Sequence, residues 1–450
     1  MKNDARIAIN CECLHVTASA FRETLCGSKL GSEGNVSTSR FVILGGGMVA
    51  GYAAKQMAES GLKPGELTIL SAEGAIPYER PPLSKGFLAG KDSEESIRIN
   101  PDNFYREHGI DLRLKIEAQR VAPAQKSIHL REGGELGFEK LILATGSVVR
   151  TLDIPGAVLE GVHYLRTVED SKRIRQRAEK ARCAVVIGGG FIGMEAASVL
   201  AQKQVETTMV LREDRIWKSF FSPEMSAFFE SYYSARGVQF VKTAALREIR
   251  GDGAVRSAVL EGGQELPCDM VVAGIGVRPA TDILANSGIE VADGVIVNEY
   301  LETNQPGIYA AGDIANYQDV LFGKRRRVEH WDNAVSQGQH CGRALMGERK
   351  EFRHVPYFFS DVFDLSYEFW GDPSGAQQVV HRGDMTSNSF SAWWIREQKL
   401  VAAFAMSRPD EERDVAPKWI ESKQRVSAAR LANASRPIAE AAESARSGAQ

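Results

Sequence analysis

The sequence predicts an α/β protein with two doubly wound domains, one inserted in the other, followed by a smaller C-terminal α+β domain. Two stretches each join an apolar strand, a glycine turn and a helix-forming run: FVILGGGMVAGYAAKQMA at 41–58 and VVIGGGFIGMEAAS at 185–198. Strand and helix patterns alternate between and after them, which is typical of parallel sheets covered by helices. Beyond residue 350 the chain becomes rich in aromatic residues, as in FRHVPYFFSDVFDLSYEFWG at 352–371, which indicates a separate domain.

The composition is that of an ordinary globular protein. The chain has 450 residues, 43% hydrophobic and 25% charged, which suits about three domains. A formal net charge of −3 gives no reason to expect nucleic-acid binding, and no apolar run approaches the roughly 18 residues of a membrane span. The first residues lack the apolar core of a signal peptide. We therefore expect a cytoplasmic protein with a disordered N-terminal extension at 1–39.

The cysteines indicate neither a disulfide scaffold nor a metal site. Cys11, Cys13 and Cys26 lie in the extension, and the other three are far apart, with no C-x-x-C pair. Cys11 and Cys13 could supply two metal ligands, but a structural site needs about four. We expect loose thiols in a reducing compartment, and no metal.

The first glycine motif, ILGGGMVAG at 43–51, predicts a dinucleotide site. Gly45 permits a tight turn after the strand, and Gly47 lets a pyrophosphate approach the backbone at the start of the helix. The next strand, ELTIL, is followed by Glu73, placed to hold a ribose hydroxyl. The predicted contacts here are Gly45, Gly46, Gly47, Met48, Val49 and Glu73.

The second glycine motif repeats this frame with Gly188, Gly190 and Gly193. The strand VETTMVL leads into REDR at 212–215, where Glu213 takes the ribose position and would repel a 2′-phosphate, which favours NADH. Arg212 and Arg215 flank it and could accommodate that phosphate, so NADPH stays open. The predicted contacts here are Gly188, Gly189, Gly190, Phe191, Ile192, Gly193, Met194, Glu195 and Glu213.

Domain boundaries follow from these motifs. We place the first dinucleotide-binding, Rossmann-like domain at 40–155 and 279–350, and the second at 156–278. A C-terminal α+β domain covers 351–420, in which FSAWWIREQKLVAAFA predicts a β-hairpin turning at Glu397 and Gln398. An Ala/Ser/Arg-rich tail, helical or disordered, covers 421–450.

Further motifs resemble the two-dinucleotide flavoprotein reductases. PYERPPLSKGFL at 77–88, LILATGS at 141–147 and GIYAAGDIA at 307–315 occur in the order and spacing of that superfamily. It includes ferredoxin reductases, apoptosis-inducing factor and monodehydroascorbate reductase. The resemblance covers roughly 40–426 and is strongest with monodehydroascorbate reductase, through RRVEHWDNA at 326–334 and PYFFSDVFDLSYEFWGD at 356–372.

The resemblance implies a flavin held by the first motif and a nicotinamide dinucleotide by the second. Hydride would pass from nicotinamide to flavin, and electrons would then pass to an acceptor. The family pattern implies further FAD contacts, in which Asp313 binds the ribityl hydroxyls and Ala118 meets the adenosine through its backbone. The same pattern implies that Arg80 and Arg166 bind the phosphates or the ring of FAD, and that Trp331 packs against the flavin ring.

The same resemblance implies a catalytic pair. Lys85 would lie at the reactive flavin nitrogen, where an ammonium stabilises the reduced anionic ring, and Glu195 would orient it. Glu329 and His330 would border the nicotinamide, and Gly276 would complete the NAD(P)H site.

Plainer interpretations stay open for several of these residues. A Lys–Glu pair is commonly a solvated ion pair, Trp331 could be core packing, and His330 could be a polar surface residue. KRRR at 324–327 could form a nucleic-acid patch. We favour a solvent-exposed edge or a contact with an acidic partner for this segment. The aromatic residues at 357–359 could be core.

Three positions depart from the plant-type monodehydroascorbate reductase pattern. Arginines implied to contact ascorbate are replaced by Val335 and Asp361, and a tyrosine is replaced by Phe359. An anionic radical therefore loses two cationic partners. VEHWDNAVSQGQ at 328–339 resembles ferredoxin reductases and apoptosis-inducing factor instead. PYERPPLSKGFL contains no cysteine, which excludes the thiol–disulfide branch.

These observations predict an FAD-dependent NAD(P)H oxidoreductase, similar to monodehydroascorbate reductase, that passes electrons to a small radical or a ferredoxin-type acceptor. Two alternatives remain: an NADH–ferredoxin reductase, and a redox-responsive binding protein like apoptosis-inducing factor.

Overall fold

The computed structural model describes residues 37–218 and 220–443. The predicted extension lies outside these residues up to position 36, together with Cys11, Cys13 and Cys26, and so do residues 444–450 of the predicted tail. The first strand starts at Ser37, inside the predicted extension, because Ser37, Thr38 and Ser39 pair with the strand that carries Leu136. Their polar side chains give no strand signal in the sequence.

The first dinucleotide domain begins with a parallel βαβ unit and continues through an antiparallel meander. Its strands are joined in the order β3-β2-β1-β6-β5-β4. The elements are β1 Ser37–Leu44, α1 Met48–Glu59, β2 Leu67–Leu70, α2 Gly86–Ala89, α3 Phe104–Glu107, β3 Asp111–Arg113, β4 Ala118–Ala122, β5 Ser127–Leu130, β6 Glu135–Leu143 and β7 Ser147–Val149.

The inserted domain repeats the same plan with its own five-stranded parallel sheet, ordered β11-β10-β9-β15-β8, and a three-stranded meander. Its elements are β8 Val162–Tyr164, α4 Val168–Ala178, β9 Cys183–Ile187, α5 Phe191–Gln202, β10 Glu206–Val210, α6 Pro223–Ser234, β11 Val238–Val241, β12 Leu246–Asp252, β13 Ala254–Leu260, β14 Glu265–Pro267, β15 Met270–Ala273 and β16 Val277–Pro279.

The chain then returns to the first domain. The elements are β17 Val291–Ala292, β18 Gly294–Val297, β19 Ile308–Ala310, β20 Ala315–Asp319, β21 Lys324–Arg327 and α7 Trp331–Leu345. β19 adds to β6 in parallel, so one sheet is built from both sides of the insertion. β7 and β16 pair antiparallel where the chain leaves and re-enters. Helix α7 lies close against α1, since a Cβ at Gly338 would lie 2.8 Å from the carbonyl oxygen of Val49.

The C-terminal domain is a five-stranded antiparallel sheet, ordered β22-β23-β26-β25-β24, with two helices. Its elements are β22 Tyr357–Val362, β23 Leu365–Gly371, β24 Gln378–Asp384, β25 Ser389–Arg396, β26 Lys399–Met406, α8 Asp410–Glu421 and α9 Ala428–Ala432. The predicted hairpin is confirmed: Glu397 and Gln398 have φ of 51° and 63°, the left-handed conformations of a two-residue turn.

Residues 421–443 differ from the predicted tail because they pack into the C-terminal domain. Leu431 and Ile438 join the cluster around Trp393 and are 0% and 4% exposed. The guanidinium of Arg382, 3% exposed, donates to the backbone oxygens of Leu431, Asn433 and Arg436. The packing of this segment could not be predicted from its Ala/Ser-rich composition, because its buried side carries few large apolar residues.

Candidate active site

The glycine turn of the first domain opens a cleft at the carboxyl end of β1. Gly45 has a φ of 124°, and a Cβ there would lie 2.1 Å from the carbonyl oxygen of Ala144. Gly47 precedes α1, and no side chain caps this helix. A Cβ on Gly47 would have Nη2 of Arg80 as its nearest neighbour, at 3.8 Å. Free first-turn amides beside a guanidinium suit a pyrophosphate.

This first cleft is a cavity of about 570 Å³, a size typical of cofactor sites. It runs from the glycine turn to the start of α7 and fits an FAD by its donors and its extent. Every residue predicted for FAD lines it: Gly45, Gly46, Gly47, Met48, Val49, Glu73, Arg80, Lys85, Ala118, Arg166, Asp313 and Trp331.

Near the glycine turn, Glu73 has partners from its own loop. Its carboxylate receives Nη2 of Arg80 at 2.6 Å and the hydroxyl of Tyr78 at 2.5 Å. Arg80 also donates to the carbonyl oxygen of Arg166 at 2.5 Å. The loop is therefore held as a rigid wall whose acid and guanidinium face the ribose and phosphate end of the cleft.

In the part of the first domain that follows the insertion, Asp313 pairs with Arg166 at 3.0 Å. Asp313 follows Gly312, whose φ is 78° and whose added Cβ would lie 2.7 Å from the side chain of Val49. The backbone N–H of Gly312 donates to the side chain of Gln337 on α7 at 2.7 Å. These contacts bring Asp313 to the cleft from a segment far away in sequence.

The indole of Trp331 is anchored by an acid that the sequence analysis did not single out. Its Nε1–H donates to Glu79, which also accepts the hydroxyl of Tyr52. Burial, and then Glu79, raise the pKa of the Tyr52 phenol above its ordinary value, so the phenol stays protonated as a donor. Trp331 stands edge-on to Phe359 at 5.9 Å between ring centroids, so it borders the cleft and does not belong to the core interior.

The second glycine turn opens a second cleft, a cavity of about 850 Å³ in the inserted domain. Gly188 has a φ of 101°, and a Cβ there would lie 2.3 Å from the carbonyl oxygen of Gly274. Gly190 precedes α5, with no side-chain cap and no atom within 4 Å of an added Cβ. The start of α5 is thus open for a second pyrophosphate. The predicted residues that line this cleft are Gly188, Gly189, Gly190, Phe191 and Glu213.

Three residues predicted for NAD(P)H line neither cleft. Gly193 allows close packing, since a Cβ there would lie 2.1 Å from the carbonyl oxygen of Gly188. Met194 is 0% exposed and belongs to the core. Gly276 accepts the N–H of Arg150 at 2.9 Å in the hinge between the domains. The helical period turns Met194 inward, which motif matching ignores.

The rim of the second cleft carries both charge signs. Glu213 and Arg212 are exposed beside it. Arg215, also lining it, points towards Asp214 at 3.6 Å, and Lys218 pairs with Asp214 at 3.0 Å. A dinucleotide would therefore meet an acid next to several cations.

Phe191 at the start of α5 borders both clefts. Its ring contacts Phe358 of the C-terminal domain at 4.7 Å and Phe220 at 5.7 Å between centroids. Phe191 therefore lies between the two clefts. Ile192, Glu195, Glu329 and His330 also line the first cleft, where the two cofactors would meet.

The predicted pair of Lys85 and Glu195 forms an ion pair. Nζ of Lys85 lies 2.7 Å from Oε1 of Glu195, with side chains only 14% and 4% exposed. This burial excludes the solvated ion pair considered above. The ammonium also lies 5.4 Å from the ring centroid of Phe359. Lys85 thus presents a fixed positive charge to the cleft.

His330 and Glu329 differ in their surroundings. Burial, and then the nearby Arg326, lower the pKa of His330 to about 4, so the ring is neutral at pH 7. It is not the exposed polar residue of the plainer interpretation, and its Nδ1 is buried without a hydrogen-bond partner among the described residues. Glu329 is exposed and pairs with Arg327 at 2.5 Å.

The KRRR segment forms strand β21 and is engaged in ion pairs. Arg326 contacts the carboxylates of Asp319 and Asp372, and Lys324 also pairs with Asp372. Arg327 pairs with Asp293 as well as Glu329. These contacts fix the strand and argue against a nucleic-acid patch.

Phe359 and Asp361 share one face of β22, because side chains alternate along a strand. Phe359 lines the first cleft, and Asp361 is exposed. Val335 follows Trp331 by one helical turn and is partly buried against the core of the first domain. Phe358 also lines the first cleft, but it is only 6% exposed and its ring stacks on Phe369 at 5.0 Å between centroids.

Neither cysteine nor metal chemistry is built into the described part of the clefts. Cys183, Cys268 and Cys341 are free thiols there, and none of them lines either cleft. Over the described ranges, no three potential ligands among His, Cys, Asp and Glu lie together as a metal site. No helix within these ranges has the length and apolar character to cross a bilayer.

Family models match most of the chain. The pyridine nucleotide-disulphide oxidoreductase model matches residues 39–338, and the reductase C-terminal model matches residues 357–442. Monodehydroascorbate reductase 4, peroxisomal, of Arabidopsis thaliana is 36% identical over 410 residues, which is 86% of this chain and 83% of that protein. Monodehydroascorbate reductase of Pisum sativum is 34% identical over 85% of this chain and 94% of its own length.

Solved structures agree with this grouping. The ferredoxin reductase of the CYP199A2 system from Rhodopseudomonas palustris is similar with a TM-score of 0.86 and 32% identity, over 90% of this chain and 100% of that chain. The covalent putidaredoxin reductase–putidaredoxin complex is similar with a TM-score of 0.86 and 28% identity, over 90% and 98% of the two chains. The chain therefore belongs to the pyridine nucleotide-disulphide oxidoreductase family, as an FAD-dependent NAD(P)H oxidoreductase with a reductase C-terminal domain.

Proposed function

We propose that this oxidoreductase takes electrons from NADH and delivers them to a ferredoxin-type iron–sulfur protein. The observation that carries the choice of acceptor is the charge of the first cleft. Its arginines are Arg80, Arg131 and Arg166, and each is already paired with a carboxylate among the described residues. Next to the two aromatic residues that border the cleft, Trp331 and Phe359, the chain offers the apolar Val335 and the exposed carboxylate of Asp361, so an anionic small molecule gains no guanidinium there.

The residues divide the work between two cofactors. The open starts of α1 and α5 would hold the two pyrophosphates, with Arg80 beside the first. Bound FAD would accept a hydride and then release its electrons to the acceptor. Lys85, held by Glu195, would stabilise negative charge at the reacting end of the cleft. Trp331, fixed by Glu79, would form a wall there and limit the access of water.

Preference for NADH rests on Glu213. A carboxylate at the second-strand position accepts the ribose hydroxyls of NADH and repels the 2′-phosphate of NADPH. Asp214 holds Lys218 at 3.0 Å and lies within 3.6 Å of Arg215, which reduces their attraction for that phosphate. Arg212 is the cation that would work against this preference.

An iron–sulfur acceptor is supported by the structural likeness to a ferredoxin reductase and to putidaredoxin reductase in complex with putidaredoxin. The alternative acceptor, the ascorbyl radical, is supported by the names of the relatives. The charge of the first cleft favours the former.

One experiment separates these acceptors. The flavin-loaded protein is mixed with NADH, and electron delivery to a [2Fe–2S] ferredoxin, read through cytochrome c, is compared with consumption of ascorbyl radical generated by ascorbate oxidase. We expect faster delivery to the ferredoxin. Efficient turnover of the radical with none of the ferredoxin would refute the proposal. Absence of turnover with any acceptor, dyes included, would favour a redox-responsive binding protein.

The proposed location is the cytoplasm. The three described cysteines are free, as in a reducing compartment. A relative named as peroxisomal makes organelle targeting the competing location, which cell fractionation tests.

A further inference from the structure

The carboxylate of Glu195 is bound by residues of the first and C-terminal domains, so all three domains meet at it. Glu195 lies on α5 of the inserted domain, Lys85 and Ser84 belong to the first domain, and Ser360 lies on β22 of the C-terminal domain. Oε1 accepts Nζ of Lys85 at 2.7 Å and Oγ of Ser360 at 2.6 Å. Oε2 accepts the hydroxyl of Ser84. Glu195, Ser84 and Ser360 are buried, with 3%, 2% and 0% of each residue exposed.

A carboxylate buried to this degree needs such partners. Water cannot replace a lost donor at 0% exposure, and an uncompensated buried charge is strongly unfavourable. The two hydroxyls bind different carboxylate oxygens, so together they fix the rotation of the carboxylate plane. That rotation determines where Oε1 stands and hence where the ammonium of Lys85 is held.

Ser360 is the contribution of the C-terminal domain to this arrangement. β22 places Phe359 in the first cleft and Ser360 on the opposite face of the strand, pointing at Glu195. One short segment thus borders the cofactor and also anchors the acid behind the lysine. Without the hydroxyl of Ser360, Oε1 would keep only Lys85, and the rotation of the carboxylate would be less tightly fixed because Ser84 would be the one hydroxyl left on it.

We propose that Ser360 is a positioning residue of the redox site, which acts through Glu195 to hold the Lys85 ammonium at the flavin end of the cleft. The proposal rests on the proposed function of Lys85 as the group that stabilises the reduced cofactor.

The test compares Ser360→Ala with a matched control, Ser391→Ala. Ser391 is also 0% exposed in the C-terminal sheet and also donates to a buried glutamate, Glu412, at 2.7 Å. Both variants lose a hydrogen bond to a buried carboxylate, so both should melt at a lower temperature than the wild type. Only the Ser360 variant should change the midpoint potential of the bound flavin and the rate of its reduction.

The decisive readout is the midpoint potential of the bound flavin. A misplaced ammonium disfavours the reduced form, so Ser360→Ala should lower the potential by about 30 mV, a tenfold change for two electrons. The limiting rate of flavin reduction by NADH should fall by about tenfold, as expected for a lost hydrogen bond to a charged group, with little change in nicotinamide affinity. Ser391→Ala should match the wild type in all three quantities.

A double variant tests the route. In a Lys85→Met background, adding Ser360→Ala should cause no further change in potential, because the ammonium that Ser360 positions is gone. Additive shifts, or a Ser360→Ala protein that behaves like Ser391→Ala, would overturn the proposal. If Ser360→Ala does not retain flavin, Ser360→Cys keeps the size with a weaker donor and should show the same shift in smaller measure.

Failure of the proposed function looks different. A wild-type protein that binds FAD but is not reduced by NADH or NADPH would overturn both proposals. Normal wild-type reduction with an inert Ser360→Ala would overturn only this one.

Discussion

Restoring two arginines should convert the first cleft towards an anionic acceptor. The perturbation is Val335→Arg combined with Asp361→Arg. Val335 lies one helical turn after Trp331, and Asp361 lies one pleat beyond Phe359 on the same face of β22. Both substitutions therefore place guanidinium groups beside the two aromatic residues that border the cleft, where the chain now offers an apolar group and a carboxylate.

The magnitude follows from charge-assisted hydrogen bonds, each worth about 1.5–3 kcal/mol. Two of them, together with removal of the repulsion by Asp361, predict an increase in kcat/KM for the ascorbyl radical on the order of a hundredfold or more. The increase should shrink as salt rises, because exposed charges are screened over about 10 Å at 0.1 M ionic strength.

The assay is NADH oxidation in the presence of ascorbate and ascorbate oxidase. A control with the same change in net charge is Val379→Arg combined with Asp384→Arg. Both positions are exposed on β24, at the opposite edge of the C-terminal sheet, so this control should leave radical turnover unchanged. Efficient turnover of the radical by the wild type would refute the reasoning. It would mean that other cations bind the radical, such as Arg326 or Arg327, which the structure shows engaged in ion pairs.

Three further predictions concern the cofactors and stability. Gly45→Ala should abolish flavin retention, read by absorbance after gel filtration, because its Cβ would lie 2.1 Å from the carbonyl oxygen of Ala144; Gly262→Ala, with no atom within 4 Å of its Cβ, should stay fully yellow. Glu213→Ala should narrow the preference for NADH over NADPH in stopped-flow reduction, and a wild type that prefers NADPH would contradict that assignment. The free energy of unfolding should fall as the pH drops from about 6.5 towards 4, because unfolding then takes up roughly one proton for each histidine whose pKa burial lowers to about 4. A free energy of unfolding, measured by urea denaturation, that stays constant over that range would contradict this prediction. These histidines are His163, His330 and His340.

The sign of the pH dependence follows from which state binds more protons. The unfolded chain protonates these histidines near their ordinary pKa of 6.5, whereas the folded chain protonates them only near 4. Between these values the unfolded state holds more protons, so acid favours unfolding.

Local features of the fold could be predicted from the sequence because short-range chemistry decides them. Gly45 and Gly188 adopt left-handed backbone conformations that bulkier residues disfavour, and both predicted turns are formed. The two-residue turn at Glu397 and Gln398 follows from the strand pattern on either side. The match of several spaced motifs gave the family, and the comparisons confirm it.

Contacts between distant segments could not be predicted in this way. Trp331 is held by Glu79, 252 residues away in sequence, and Glu195 is held by Ser360, 165 residues away. A serine or glutamate has no periodicity that reveals such a partner. The residues at 421–443 likewise carry no apolar pattern that predicts their packing, although Arg382 donates to backbone oxygens of this segment.

The sequence by itself determined the two glycine turns, the insertion of one dinucleotide domain in the other, and the presence of an acid and a lysine in the two motifs. Only the tertiary structure decided that Lys85 and Glu195 are buried together, that Met194 faces the core, and that the C-terminal domain closes the site through Phe359 and Ser360. The reason is that backbone conformation depends on neighbours along the chain, whereas the charge of a site depends on which segments the fold brings within a few ångströms.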